Sequence, residues 1–66
     1  MSDNEIKALV AKYLKLRVKT HKDVIKATGI PQATYYRRLS NPNDLKLEEL
    51  RAIFDYLKTP QTERNI

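Results

Sequence analysis

The 66-residue sequence has no cysteine, one glycine and no run of 18 apolar residues. Without cysteine it can form neither a disulfide scaffold nor a thiolate metal site. Without a long apolar run it has no membrane-spanning segment, and its polar, acidic N-terminus does not resemble a secretion signal. We therefore expect a soluble, cytoplasmic protein that carries no metal ion or other cofactor and is stabilised by helix packing.

The small size of the chain disfavours catalysis. A single domain of this length buries only about 60% of the surface of its unfolded chain, which leaves little margin for a strained catalytic cavity. Its one histidine, His21, has no cysteine or second histidine with which to bind a metal ion. We expect a protein that acts by binding, with no enzymatic activity and no small-molecule substrate.

The net charge of +5 is unevenly distributed along the chain. Residues 1–40 contain nine of the 13 lysines and arginines and three of the eight acidic residues. Such a positive region attracts phosphate groups without regard to sequence. Lysine-rich helix faces can equally be solvated surfaces, so charge alone does not choose between these interpretations.

Apolar periodicity predicts a compact all-α bundle of four, or five, short helices, with no strand-like alternation. The first helix is expected from a capping box of Ser2 and Glu5 to Leu16 or Arg17. A second capping box, at Thr20 and Asp23, opens the next helix. We predict one domain over residues 1–58 and a flexible polar tail over residues 59–66, after Thr59 and Pro60.

The expected core consists of apolar side chains that recur at helical spacing. The first helix and its end contribute Ile6, Leu9, Val10, Tyr13, Leu14 and Val18. The next two contribute Val24, Ile25, Thr28, Ile30, Tyr35 and Leu39. The last helix, which we expect to begin near Lys46 or Leu47, contributes Leu47, Leu50, Ile53, Phe54 and Leu57.

Gly29 lies where two short helices should meet. Glycine enters the left-handed region without a steric penalty, so it commonly ends a helix. Pro31 can open the following helix, because proline is tolerated in a first turn. Residues 20–42 therefore predict a helix-turn-helix, whose second helix covers about residues 31–40. A rod of nine residues is roughly 13 Å long, which suits a major groove about 12 Å wide.

The run from Gly29 to Leu57 resembles the lambda-repressor-like helix-turn-helix domains of the phage Cro and repressor group. The resemblance is carried by a Gly-Ile turn, a Thr-Tyr-Tyr-Arg-Arg-Leu helix, an Asn-Pro loop and a helix that opens with Leu and contains Glu-Leu. The matching residues are Thr34, Tyr35, Tyr36, Arg37, Arg38, Leu39, Asn41, Pro42, Leu47, Glu49 and Leu50. It implies a transcriptional regulator of bacteria or phage-infected hosts that binds double-stranded DNA.

Four side chains of the second motif helix are candidates for contacts with base edges: Gln32, Ala33, Tyr36 and Arg37. Gln32 can pair bidentately with adenine, and the Ala33 methyl can contact a thymine methyl. Arg37 can donate two hydrogen bonds to guanine or hold a phosphate. Tyr36 can reach DNA or pack partly against the last helix. Arg38 is expected to form an ion pair with Glu48 or Glu49.

Candidates for phosphate contacts surround this helix: Lys19, His21, Lys22, Thr34, Ser40, Asn41 and Asn43. His21 and Lys22 open the first motif helix, whose N-terminal amides can bind an anion. A module this small buries roughly 600–1,000 Å² on DNA, so we expect a homodimer, at least on DNA, on a two-fold operator. Two alternatives are a protein-interaction adaptor and a nonspecific architectural DNA-binding protein.

Overall fold

The computed structural model describes residues 2–64, although the side chain of Asn43 is outside its described part. Within these residues the fold is entirely helical and contains no strand. The α-helices are α1 (Asp3–Leu16), α2 (His21–Thr28), α3 (Gln32–Ser40), α4 (Leu47–Tyr56) and α5 (Gln61–Arg64), and a 3-10 turn covers Pro42–Asp44. In the described residues, no helix is long and apolar enough to cross a membrane.

Both predicted capping boxes are present. The Ser2 hydroxyl accepts a hydrogen bond from the Glu5 amide, and the Glu5 carboxylate accepts one from the Ser2 amide. Thr20 and Asp23 repeat this exchange at the start of α2. Each box satisfies two amides that the helix itself leaves without a partner, so these local residues determine where α1 and α2 begin.

The turn between α2 and α3 has the predicted conformation at Gly29, whose φ of 75° is left-handed. The Gly29 amide donates to the Ile25 carbonyl, which closes the end of α2. Pro31 differs slightly from its predicted place. It precedes α3 as the N-cap, with no side-chain hydrogen bond, and its extended ψ of 139° turns the chain into the helix.

The ends of α1 and α4 are built alike, although neither has a glycine. After α1 the Lys19 amide donates to the Leu14 carbonyl, and Val18 adopts a φ of 55°. After α4 the Thr59 amide donates to the Phe54 carbonyl, and Lys58 adopts a φ of 54°. This is the Schellman arrangement, in which the left-handed residue is usually glycine. Its geometry points Val18 outward, so the prediction that Val18 closes the core is wrong, and its side chain is 89% exposed.

The core forms where α2 packs on α4, with α1 and α3 both in contact with the 3-10 turn. Leu45, which follows that turn, is buried although its sequence pattern gave no sign of it. The prediction that Leu47 lies in the core is wrong: it is 50% exposed at the start of α4, whereas Leu50, three residues later, is buried. The buried apolar side chains are Ile6, Val10, Tyr13, Leu14, Val24, Ile30, Tyr35, Leu45, Leu50, Ile53, Phe54 and Leu57.

The prediction of a flexible tail is wrong for residues 59–64, while residues 65 and 66 are outside the described part of the chain. Arg64 is buried, and its guanidinium donates to the carbonyls of Thr59 and Phe54 and to the Asp55 carboxylate. Glu63 accepts hydrogen bonds from the Tyr13 hydroxyl and the Lys12 ammonium. These contacts attach α5 to both α1 and α4.

Arg17, at the end of α1, also contacts the C-terminal end of α4. Its guanidinium donates to the carbonyls of Leu57 and Lys58, at 3.0 Å in both cases. A helix C-terminus leaves carbonyls without partners and carries partial negative charge, so cationic donors stabilise it. Two arginines that are distant in sequence, Arg17 and Arg64, therefore cap the same end of α4.

Candidate nucleic-acid interface

The surface of α3 that faces away from the core carries the four predicted base-contact residues. Gln32, Ala33, Tyr36 and Arg37 are all exposed, Tyr36 at 40%. Gln32 lies four residues before Tyr36, and Ala33 lies four residues before Arg37, which places all four on one side of the helix. Gln32 and Arg37 make no hydrogen bond or ion pair with any other residue between Ser2 and Arg64, so their polar groups face solvent.

The neighbours of these residues in sequence point elsewhere. Tyr35 is 1% exposed and lies in the core. Arg38 forms the predicted ion pair, and its partner is Glu49 of α4. Since adjacent helical residues point about 100° apart, α3 divides the Tyr35–Tyr36 and Arg37–Arg38 pairs between the interior and the surface. The geometry leaves one tyrosine and one arginine for an external partner.

An aromatic cluster of His21, Tyr35 and Tyr36 joins the start of α2 to α3. The ring centroids are 5.4–5.9 Å apart and meet edge to face, as aromatic pairs prefer. His21 Nδ1 lies 2.8 Å from the Tyr35 hydroxyl. Burial raises the pKa of Tyr35 to about 12, so this hydroxyl keeps its proton at neutral pH. The cluster fixes the position of α3 against the first turn of α2.

This cluster changes how His21 could bind a phosphate. Its ring is half buried and hydrogen-bonded to Tyr35, so the candidate donor to a phosphate is its backbone amide in the first turn of α2. In the described part of the chain, no residue accepts a hydrogen bond from the amides of His21 and Lys22. Asp23 already places a carboxylate at this N-terminus, where the Thr20 amide lowers its pKa. Lys19 and Lys26 also lower the pKa of Asp23 through their positive charge, and the Lys22 side chain is exposed.

The other predicted phosphate contacts have different surroundings. Lys19 places its ammonium 5.8 Å from the centre of the Tyr56 ring, toward α4. The Ser40 hydroxyl donates to the Tyr36 carbonyl, so its proton is not free for a phosphate oxygen. Asn41 donates to the Asp44 carboxylate, which ties the loop after α3. Thr34 is half buried, and the side chain of Asn43 is outside the described part of the structure.

Sequence reasoning did not identify Arg17 and Arg64 as structural groups. No sequence pattern indicates their partners, which are carbonyl oxygens at the C-terminal end of α4 and the Asp55 carboxylate and come within reach only after the helices have packed. Within residues 2–64, no group of three His, Cys, Asp or Glu side chains could hold a metal ion. The exposed surface of α3 offers amide, guanidinium and hydroxyl donors.

Comparison with known proteins gave no family assignment. No family model, curated protein or solved structure matches the chain. The described residues form a small all-α fold in which α3 presents an exposed face of polar and aromatic side chains.

Proposed function

We propose that this protein binds double-stranded DNA in a sequence-specific manner, as a small transcriptional regulator of the Cro and repressor type. In this proposal α2, the Gly29 turn and α3 form a helix-turn-helix, and α3 enters the major groove. Nine helical residues span roughly 13 Å, which is compatible with a groove about 12 Å wide. The net charge of +5 favours association with a polyanion.

The observation that carries the proposal is the contrast between Arg37 and Arg38. Arg38 is used internally by Glu49, whereas Arg37 is exposed beside Gln32 and Tyr36. A nonspecific binder needs only positive charge, but this face combines an amide, a methyl group, a phenol and a guanidinium. Those groups are suited to reading base edges, with Arg37 directed to guanine and Gln32 to adenine.

The first turn of α2 would position the domain on the DNA backbone. Lys22 and the amides of His21 and Lys22 would contact one phosphate, because a helix N-terminus favours anions. Asn41, at the opposite end of α3, would contact another through the second proton of its side-chain amide, because the first is donated to Asp44. The aromatic cluster would keep these backbone contacts in a fixed geometry relative to α3.

Binding as a homodimer on a two-fold operator follows from size. A single module buries on the order of 600–1,000 Å² on DNA, which is small for tight discrimination. Two copies related by a two-fold axis would read two half-sites about one helical turn apart. Each copy would present α3 to the same face of the duplex.

The proposal is tested by selecting binding sites from random DNA duplexes at two salt concentrations. We expect a symmetric motif that persists at the higher salt. Arg37→Ala should then cost about 1–3 kcal/mol on the selected site and relax the preference at one base position. The matched control is Arg51→Ala, which removes an exposed arginine from α4 and should leave affinity and preference nearly unchanged.

Three results would reject the proposal in different ways. Enrichment of no motif, with binding lost at moderate salt, would indicate a nonspecific architectural binder. Absence of DNA binding at low salt would favour a protein-interaction adaptor. An equal loss for Arg37→Ala on every sequence would make Arg37 a phosphate contact and remove the main support for base reading.

A further inference from the structure

A groove of about 550 Å³ separates α1 from α3. Val10 and Leu14 of α1 and Leu39 of α3 form its apolar base, and the rings of His21 and Tyr36 line one part of its wall. Its volume lies in the range of about 300–1,000 Å³ that is typical of small-molecule sites. The groove is present in the protein without DNA.

Two lysines give this groove a definite charge. Lys7 and Lys15 both line it, and eight residues of α1 separate them by roughly 12 Å. Within residues 2–64 neither lysine forms an ion pair, and no described carboxylate lines the groove. Two neighbouring lysines are engaged elsewhere, since Lys12 pairs with Glu63 and Lys19 lies over Tyr56. The positive charge of Lys7 and Lys15 therefore has no internal counterpart.

An apolar base beneath two unpaired ammonium groups is complementary to an anion with an apolar body. A free phosphate or a DNA backbone would neutralise the lysines but would leave Val10, Leu14 and Leu39 without an apolar partner. A neutral hydrocarbon would cover the apolar side chains but would leave the charges of Lys7 and Lys15 without a counterion. We propose that the groove binds a small organic anion, a carboxylate or sulfonate on an aromatic ring system or short aliphatic chain. The aromatic rings of His21 and Tyr36 in its wall suit an aromatic body.

The test is a titration of the isotope-labelled protein with 2-naphthoate, followed by amide chemical shifts, with the neutral 2-naphthalenemethanol as a charge control. We expect saturable shifts centred on Ala11, Tyr36 and Ser40, with tighter binding of the anion than of the alcohol. Lys7→Gln combined with Lys15→Gln should weaken naphthoate about three- to tenfold, the effect of two solvent-exposed ion pairs, and leave the alcohol unaffected. The matched control, Lys26→Gln combined with Lys58→Gln, changes net charge equally outside the groove and should preserve binding.

A second pair of variants tests the location. Ala11 is exposed and lines the groove, so Ala11→Tyr should fill it without removing a core atom. Ala8→Tyr makes the same change on another surface of α1 and should leave binding intact. Scattered or unsaturable shifts, equal affinity for the alcohol, or unchanged binding by folded Ala11→Tyr would overturn the inference. No DNA is present in this experiment, so its outcome is independent of the proposed DNA binding.

Discussion

Adding a methyl group at Gly29 isolates the cost of its backbone conformation. Gly29 has a φ of 75°, and a Cβ built there would meet no atom within 4 Å. Gly29→Ala therefore introduces strain without a steric clash against the rest of the fold. A residue with a side chain pays roughly 1–2 kcal/mol in the left-handed region. Ala also restricts the unfolded chain, which offsets about 0.4–1 kcal/mol of that cost.

The net expectation for Gly29→Ala is a loss of about 1 kcal/mol in the free energy of unfolding. For a domain of this size that corresponds to a decrease of about 4–8 °C in melting temperature. The reverse change is available at Val18, which has a φ of 55° and an 89% exposed side chain. Val18→Gly relieves strain and loses almost no packing, so it should stabilise the protein by up to about 1 kcal/mol.

Both variants are measured by thermal and urea unfolding, followed by circular dichroism. A melting temperature unchanged by Gly29→Ala would show that Gly29 does not hold a left-handed conformation. A lower melting temperature for Val18→Gly would show that the Val18 side chain makes stabilising contacts. Either result would contradict the left-handed conformations of Gly29 and Val18. The same backbone strain predicts that Gly29→Ala lowers the melting temperature and that Val18→Gly raises it.

Three further predictions concern α5, acid stability and the DNA backbone. Arg64→Met should destabilise the fold by at least about 1 kcal/mol, because buried carbonyls of Phe54 and Thr59 lose a charged donor. Urea unfolding that is unchanged by this substitution would support the alternative that residues 59–64 form a flexible tail. Hydrogen bonds from Tyr13 and Lys12 hold the pKa of Glu63 below its ordinary value of 4.5. The contribution of Glu63 to the free energy of unfolding is therefore complete above pH 4.5 and is lost as the pH falls below it. When the free energy of unfolding is measured at a series of pH values, Glu63→Gln should make its decrease at acid pH less steep. An equally steep decrease would contradict this linkage. Lys22→Ala should reduce the slope of log affinity for DNA against log salt by about 0.9, and Lys58→Ala should not; equal slopes would remove Lys22 from the interface.

Much of the candidate interface could be predicted because α3 is short and its period is known. Adjacent residues on a helix diverge by about 100°, which was sufficient to assign Tyr35 to the core and Tyr36 to the surface. The pairing of Arg38 with Glu49 was also expected, and the structure selects Glu49 over Glu48. The hydrogen bond between His21 and Tyr35 was not expected, because it depends on how α2 and α3 cross.

The sequence by itself determined the features whose causes lie within a few residues. Ser2 with Glu5, Thr20 with Asp23 and the left-handed Gly29 specify helix ends through short-range hydrogen bonds and backbone sterics. Only the tertiary structure decided that Arg17 and Arg64 cap α4. The partners of Arg17 are about 40 residues away. Its hydrogen bonds exist only after packing has brought the ends of two helices together.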